Sequence, residues 1–208
     1  TNQYFNSGGA NGNFRLSTPK MAFDVMYGAN DVKKMEYMDL YSRHTLKNQV
    51  YDIRQNEQLR MKYWNHNFRT VFEYNLNDKD NLNLAYTGSF TPDQHSNSLT
   101  SGNYQASNVD KYVETRMHNV TLQYHSGSGF DVGGDYTRYT SDNNQTLSAD
   151  YTEGGQSCFS IIGGQKIDRY SIYADRKRSL GKEWNLSYGM SYRFAKDRDF
   201  QTYDKVVG

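Results

Sequence analysis

Five histidines are the side chains of this sequence that could most readily bind a metal ion or transfer a proton near neutral pH. They are His44, His66, His95, His118 and His125. No two of them lie two or four residues apart, the spacing at which one strand or one helix turn would present two ligands to the same ion. We therefore interpret them as scattered surface or lumen histidines and predict no metal site.

Two carboxylates and one thiol were considered as catalytic groups. Asp131 and Asp135 would share a strand face, but about 13 Å of extended chain separates them, which is further than paired acid–base carboxylates lie. Cys158 is the only cysteine, which excludes an internal disulfide, and no basic side chain lies near it in sequence to activate the thiol. Without a phosphate-binding glycine loop or a nucleophile elbow, the sequence predicts no catalytic residue, no cofactor and no enzyme.

The composition favours β-structure. The 208 residues include 19 Tyr, 10 Phe and 17 Gly but only 2 Pro, a set typical of pleated strands and tight turns. The 24 Lys+Arg nearly balance the 23 Asp+Glu, so charge gives no reason to expect nucleic acid as a partner. The mean hydropathy is -0.95, and no apolar run approaches the roughly 20 residues of a membrane helix. Any membrane crossing would therefore use strands.

Alternation of apolar and polar residues with period two predicts antiparallel hairpins. Short polar or glycine-containing turns separate three pairs of alternating segments. The pairs are 68–76 with 81–90, 119–124 with 130–137, and 170–174 with 184–194, and their turns are 77–80, 125–129 and 179–183. A further strand is expected over 23–27, with a turn at 28–31 leading into a strand near 35–41.

Other stretches are predicted to be loops or are ambiguous. The polar segments 91–108 and 141–155 are expected to be long loops able to contact sugars or other external ligands, with Pro92 blocking strand pairing and Gly154 and Gly155 forming a bend. Residues 55–62 contain good helix formers, and residues 1–13 are expected to be irregular. The length allows about eight to eleven strands of about 9–11 residues each.

The two faces of these strands differ in polarity. Leu82, Leu84, Tyr188 and Met190 are expected to face lipid, and Asn83, Asn185 and Arg193 a wet interior. Aromatic residues near strand ends fit a girdle at the membrane interface. These girdle candidates are Tyr86, Phe90, Tyr124, Tyr136, Tyr192 and Phe194.

Together the patterns predict an all-β fold, an antiparallel up-and-down meander of long hairpins that forms an outer-membrane β-barrel or part of one. The chain is taken as one domain, 1–208, and as a processed or excised piece, since Thr1 follows neither an initiator Met nor a signal peptide. The alternative is a secreted or periplasmic β-sandwich that binds glycans through aromatic and Asn-rich loops.

Three stretches carry a resemblance to a known family: FEYNLNDKDNL at 72–82, FDVGGDYTRY at 130–139 and SLGKEWNL at 179–186. They resemble the barrels of Bacteroidetes outer-membrane proteins related to TonB-dependent receptors, and the similarity extends from about residue 14 onward. In that family a barrel of about 22 strands encloses a plug domain. The sequence shows neither a plug nor a TonB box, so the resemblance implies part of such a barrel or a smaller relative.

The resemblance also implies a location and partners. These are the outer membrane of a Gram-negative bacterium, its lipid, a TonB-type energising complex acting through the parent protein, and an unidentified external ligand taken up without bond chemistry. No binding residue of the family can be carried over. An isolated fragment would expose strand edges, so we expect it to self-associate.

Overall fold

The computed structural model describes residues 2–4, 7–181 and 183–206. They form nine strands: β1 (Asn2–Tyr4), β2 (Gly8–Ser17), β3 (Met21–Leu46), β4 (Gln49–Asn75), β5 (Asn81–Gly102), β6 (Gln105–Ser126), β7 (Phe130–Tyr151), β8 (Gln156–Ser179) and β9 (Asn185–Val206). The described residues contain no helix long and apolar enough to cross a membrane. The predicted all-β class is confirmed.

All nine strands belong to one antiparallel sheet. Strands β3 to β9 pair in chain order, and both β1 and β2 pair with β3. Among the described strands, β2 has no neighbour except β3, and β9 none except β8, so the sheet is an open meander and does not close into a barrel. Within the described residues no second sheet packs on it, which is contrary to the β-sandwich alternative.

The strands are much longer than the sequence predicts. From β3 to β9 they contain 22 to 27 residues, or about 70–90 Å at roughly 3.3 Å per residue. The expected length of about 9–11 residues is therefore wrong, because that length is what a membrane crossing requires and the pairing continues far beyond it.

The two predicted long loops are also wrong, because strand pairing continues through them. Most of 91–108 lies in β5 and β6, and residues 141–151 lie in β7. Backbone hydrogen bonds to neighbours on both sides hold these polar segments, and such bonds do not depend on side-chain polarity. Pro92 does interrupt pairing, but only locally: the register shifts between Thr91 and Gln94, which is a β-bulge, and the strand then continues.

Three further expectations are corrected. Residues 28–31 do not turn but pair with residues 64–67 inside β3 and β4. The helix formers at 55–62 lie in β4, where cross-strand pairing outweighs a weak helix propensity. Residues 8–13, expected to be irregular, belong to β2.

The hairpin turns are short at both ends of the sheet. The proximal turns are 18–20, 76–80, 127–129 and the described residues of 180–184, and the distal turns are 47–48, 103–104 and 152–155. Lys47 and Asn48 have φ values of 47° and 68°, the left-handed conformation that a two-residue hairpin turn needs at both positions. The predicted turns at 77–80, 125–129 and 154–155 are confirmed, as is 179–183 apart from Lys182, which lies outside the described residues. The loops at the two ends of the sheet are therefore similarly short.

Candidate membrane-facing surface

One face of the sheet near the proximal turns is apolar across eight strands. Because the strands are in register, alternate side chains line up in rows that cross the sheet. The middle row, from β2 to β9, consists of Leu16, Phe23, Phe72, Leu84, Leu122, Gly134, Ile172 and Tyr192. The row on the distal side consists of Phe14, Val25, Thr70, Tyr86, Val120, Tyr136, Tyr170 and Phe194, and the row on the turn side of Met21, Tyr74, Leu82, Tyr124, Val132, Ala174 and Met190. We call these three rows the apolar band.

No part of the described chain packs against the apolar band. Leu122 is 48% exposed, Ile172 62% and Met190 76%. Seven intervals of about 4.8 Å across the strands, and three rows that each cover about 6.8 Å of strand, give it an area of roughly 700 Å². Soluble monomers rarely expose so large a continuous apolar patch, so the band requires an apolar environment.

The apolar surface has different limits on β5 and β9. On β5 it runs from Leu82 to Phe90, whereas the β9 residues aligned with these two are Met190 and Arg198. On β9 the apolar residues run instead from Leu186 to Phe194. The distal limit changes between β5 and β6 and then stays in a single row across β6 to β9.

The opposite face of the same strands is polar. Behind the middle row of the apolar band lie the rows that contain Glu73, Asn83 and Gln123, and Asp24, Thr121 and Arg193. Asn83 and Arg193, both predicted to face a wet interior, are therefore on this face. So is Asn185, which pairs with Ser179.

A concave pocket of ≈ 470 Å³ lies on the polar face across β2 to β6. Arg15 and Asp24 form an ion pair in it, with Nη1 and Oδ2 3.4 Å apart. The other carboxylate oxygen of Asp24 is buried without a hydrogen-bond partner in the described part of the chain, as is one oxygen of Asp135. Groups of this kind require water or a polar solute, so this face is suited to a wet space.

The six girdle candidates all lie on the same side of the sheet as the apolar band. Tyr86, Tyr136 and Phe194 share its distal row, Tyr192 is in the middle row and Tyr124 in the turn-side row. Phe90 lies four residues beyond Tyr86 on β5. The structure brings three of them to one line across the sheet, and their role as a girdle remains a prediction.

Two residues that the sequence analysis did not assign to the girdle join these aromatics. The Tyr170 ring lies 4.7 Å from that of Tyr136 and 6.4 Å from that of Phe194, centroid to centroid. His118 Nδ1 lies 2.9 Å from the Tyr86 hydroxyl. Tyr170 alternates with Ile172 and could have been found from periodicity, but the position of His118 depends on the strand register.

Two of the five histidines have carboxylate partners. His125 pairs with Asp131 across the proximal turn of β6 and β7, and His95 Nε2 lies 2.6 Å from Asp110 Oδ1. Cys158 is half-buried on β8. Within the described residues no three His, Cys, Asp or Glu side chains form a group that could hold a metal ion.

Carboxylates accept hydrogen bonds that stabilise the turns at both ends of the sheet. At the proximal end, Asp80 accepts hydrogen bonds from Asn77 Nδ2 and from the Gly127 N–H, each 2.7 Å. These bonds, the one from Asn77 foremost, lower the pKa of Asp80 below its ordinary value.

The distal end has a comparable carboxylate. Asp52 accepts a hydrogen bond from Arg43 Nε at 2.7 Å and one from the Tyr41 hydroxyl at 2.9 Å. Both bonds lower the pKa of Asp52, that from Arg43 the most. The ends of the sheet are thus held by charged and polar groups, unlike the apolar band between them.

Comparison with known proteins adds little to this geometry. No protein family matches the chain, and no curated protein does. Among solved structures, the chain matches that of Pseudomonas aeruginosa OccK10 (OpdN) with 10% sequence identity and a TM-score of 0.18, over 98% of this chain and 96% of that chain. A TM-score this low establishes no common fold, and the conclusions below depend on the sheet itself.

Proposed function

We propose that this chain is a segment of an outer-membrane β-barrel, related to the TonB-dependent receptors, with a non-enzymatic role in uptake. The apolar band contacts the hydrocarbon of the bilayer, and the polar face borders a water-filled interior. A TonB-type energising complex and an external ligand enter this proposal through the sequence resemblance. Their contacts would be made by the parent barrel.

The exposed apolar surface, with a polar face behind it, is the observation that carries the proposal. On β9 the apolar surface covers residues 186–194, about 27 Å along the strand. A transmembrane barrel has an outward apolar band about 25 Å high, so the two are similar in extent.

Beyond the apolar band, the face of the sheet that carries the band becomes polar. On β7 the side chains that continue its face are Arg138, Thr140, Asp142, Asn144 and Thr146. Half-buried apolar residues in the distal part occur instead on the other face, in a row that contains Leu59, Val109, Leu147 and Phe159. We infer that about 40 Å of each hairpin projects beyond the bilayer, since roughly twelve residues at about 3.3 Å each follow the band.

Vesicle flotation tests the membrane location. The protein is refolded with phosphatidylcholine vesicles, washed at alkaline pH and centrifuged through a density gradient. We expect the wild-type protein to float with the lipid. A variant with serine at Leu84, Leu122 and Ile172 should stay at the bottom, whereas one with serine at the polar-face residues Val71, Ala85 and Tyr173 should still float. A wild-type protein that remains soluble and monomeric without lipid would contradict the proposal.

Dye release tests the passage function separately. Vesicles loaded with a small self-quenching dye should become leaky when the protein inserts, since the polar face would line a water path. Insertion without any dye release would agree with the membrane location but would refute a role in the passage of solutes.

A further inference from the structure

A cluster of cationic side chains lies directly beyond the distal limit of the apolar band on β6 to β9. The first row past the band consists of His118, Arg138, Asp168 and Lys196, and the second of Arg116, Thr140, Lys166 and Arg198. These two rows contain five Lys or Arg side chains and one carboxylate. We call the five cations Arg116, Arg138, Lys166, Lys196 and Arg198 the basic patch; all five residues are exposed.

The basic patch is only partly neutralised by the carboxylates around it, Asp168 within its rows and Glu114 and Asp142 one row beyond. Lys166 and Arg198 are directly opposite each other in the β8–β9 register, an arrangement of like charges that destabilises a sheet. Only Arg116 of the five forms an ion pair in the described structure, with Glu114. Asp168 lies between Arg138 and Lys196 in its row, and its Oδ1 already accepts a hydrogen bond from Tyr136 at 2.7 Å.

The position of the patch identifies the kind of anion that would occupy it. Its two rows begin about 7 Å and 13 Å beyond the last apolar row, at two and four residues along the strands. If the apolar band contacts acyl chains, these are the depths at which lipid headgroups lie. Arg and Lys bind phosphate strongly, and the opposed Lys166 and Arg198 would be relieved of repulsion by an anion between them.

We propose that the basic patch binds the phosphate groups of anionic lipid headgroups in the membrane leaflet on the distal side. This inference rests on the proposed membrane location and adds to it a specific lipid chemistry. The bound lipid would place its acyl chains on the apolar band beside Tyr170 and Phe194 and its phosphates against Lys166, Lys196 and Arg198.

The test compares two variants of the protein in zwitterionic detergent micelles. The outer variant is K166Q/K196Q/R198Q. The matched control is R69Q/R169Q/R193Q, which removes three cations from the polar face. The probe is a bisphosphorylated glycolipid, with its phosphate-free form and inorganic phosphate as the other ligands, and binding is measured by native mass spectrometry and by the shift in Tm.

We expect the wild-type protein and the control variant to bind the phosphorylated lipid equally. The outer variant should bind about 100-fold more weakly, since each Lys or Arg near an anionic lipid contributes a factor of about five. Equal binding of the phosphate-free lipid would overturn the inference, as would an equal loss in the control variant. Full occupancy by inorganic phosphate alone would also overturn it and would assign the patch to free phosphate.

A result that refutes the lipid site is distinguishable from one that refutes the proposed membrane location. If the outer variant still floats with vesicles but the wild-type protein shows no preference for phosphorylated lipid, only the lipid site is refuted. If the wild-type protein does not float, the membrane location itself is refuted.

Discussion

Replacing Leu122 by arginine places a charge at the centre of the apolar band. Leu122 is in the middle row, between Leu84 on β5 and Gly134 on β7, and no protein side chain covers it from outside. On the lipid face of a barrel, an arginine near the bilayer midplane lowers the free energy of unfolding by about 2–4 kcal/mol. At a site exposed to water, the same change is usually within about 0.5 kcal/mol.

The neighbouring residue provides a matched control. Gln123 is one position along β6 and exposed on the polar face, so Gln123→Arg adds the same side chain to a surface expected to contact water. Its effect on the free energy of unfolding should stay within about 0.5 kcal/mol. Both variants introduce arginine into the same strand, so the difference between their free energies of unfolding reports the environment of each face rather than the strand propensity of arginine.

The assay is equilibrium unfolding of the protein from phosphatidylcholine vesicles in guanidinium chloride, followed by tryptophan fluorescence. We expect Leu122→Arg to lower the midpoint without changing the slope, and Gln123→Arg to leave it nearly unchanged. Two variants that agree within about 0.5 kcal/mol would refute the assignment of lipid to the apolar band and water to the polar face.

Three other predictions concern packing, pH and the sheet edges. Gly134→Ala should destabilise the protein by about 1–3 kcal/mol in thermal unfolding, because its new Cβ would lie 2.8 Å from a backbone carbonyl oxygen of β8. Gly133→Ala should destabilise it less, because its Cβ would meet only the end of a tyrosine side chain. An equal loss of stability in the two variants would contradict this prediction. The pKa of Asp80 is lowered in the folded protein, so its contribution to stability is present above the ordinary value of about 3.9 and is lost as the pH falls through the lowered value. Hydrogen exchange at the Gly127 amide should accelerate in that window towards the rate in Asp80→Ala, and a rate equal to that of Asp80→Ala already above the window would contradict the role of this carboxylate. The open edges at β2 and β9 should pair with other copies, so sedimentation in detergent should show concentration-dependent oligomers, and a strict monomer would contradict the prediction.

The hairpins and their two faces were predictable because both follow from local sequence. Period-two alternation assigns Leu82 and Leu84 to one face and Asn83 to the other, and any antiparallel pairing preserves that assignment. The turns at 77–80 and 125–129 are marked by Asn, Asp and Gly, which favour tight bends for known steric reasons. These signals do not depend on distant residues.

The strand lengths were not predictable in the same way. In 91–108 and 141–155 apolar residues such as Leu99 and Leu147 are sparse, so alternation is weak even though the backbone remains paired. What extends the strands is the equal length of their neighbours, such as residues 94–101 of β5 against 106–113 of β6. That match between segments is not visible within either one.

The candidate surface was only partly predictable. Alternation placed all six girdle candidates on one side of the sheet, but the basic patch appears only when the strands are set in register. Lys166 and Arg198 lie 32 positions apart in sequence, and nothing local to either residue shows that they are opposite each other. Register is therefore the information that sequence periodicity lacks.

Quenching of tryptophan fluorescence by lipids brominated on their acyl chains tests the central claim most directly. Trp64 and Trp184 are first replaced by phenylalanine, and a single tryptophan is then introduced at Leu84, in the apolar band, or at Ala85, on the polar face of the same strand. We predict strong quenching for L84W and little for A85W in the same vesicles. Equal quenching of the two variants would contradict the claim that one face of this sheet contacts lipid and the other contacts water.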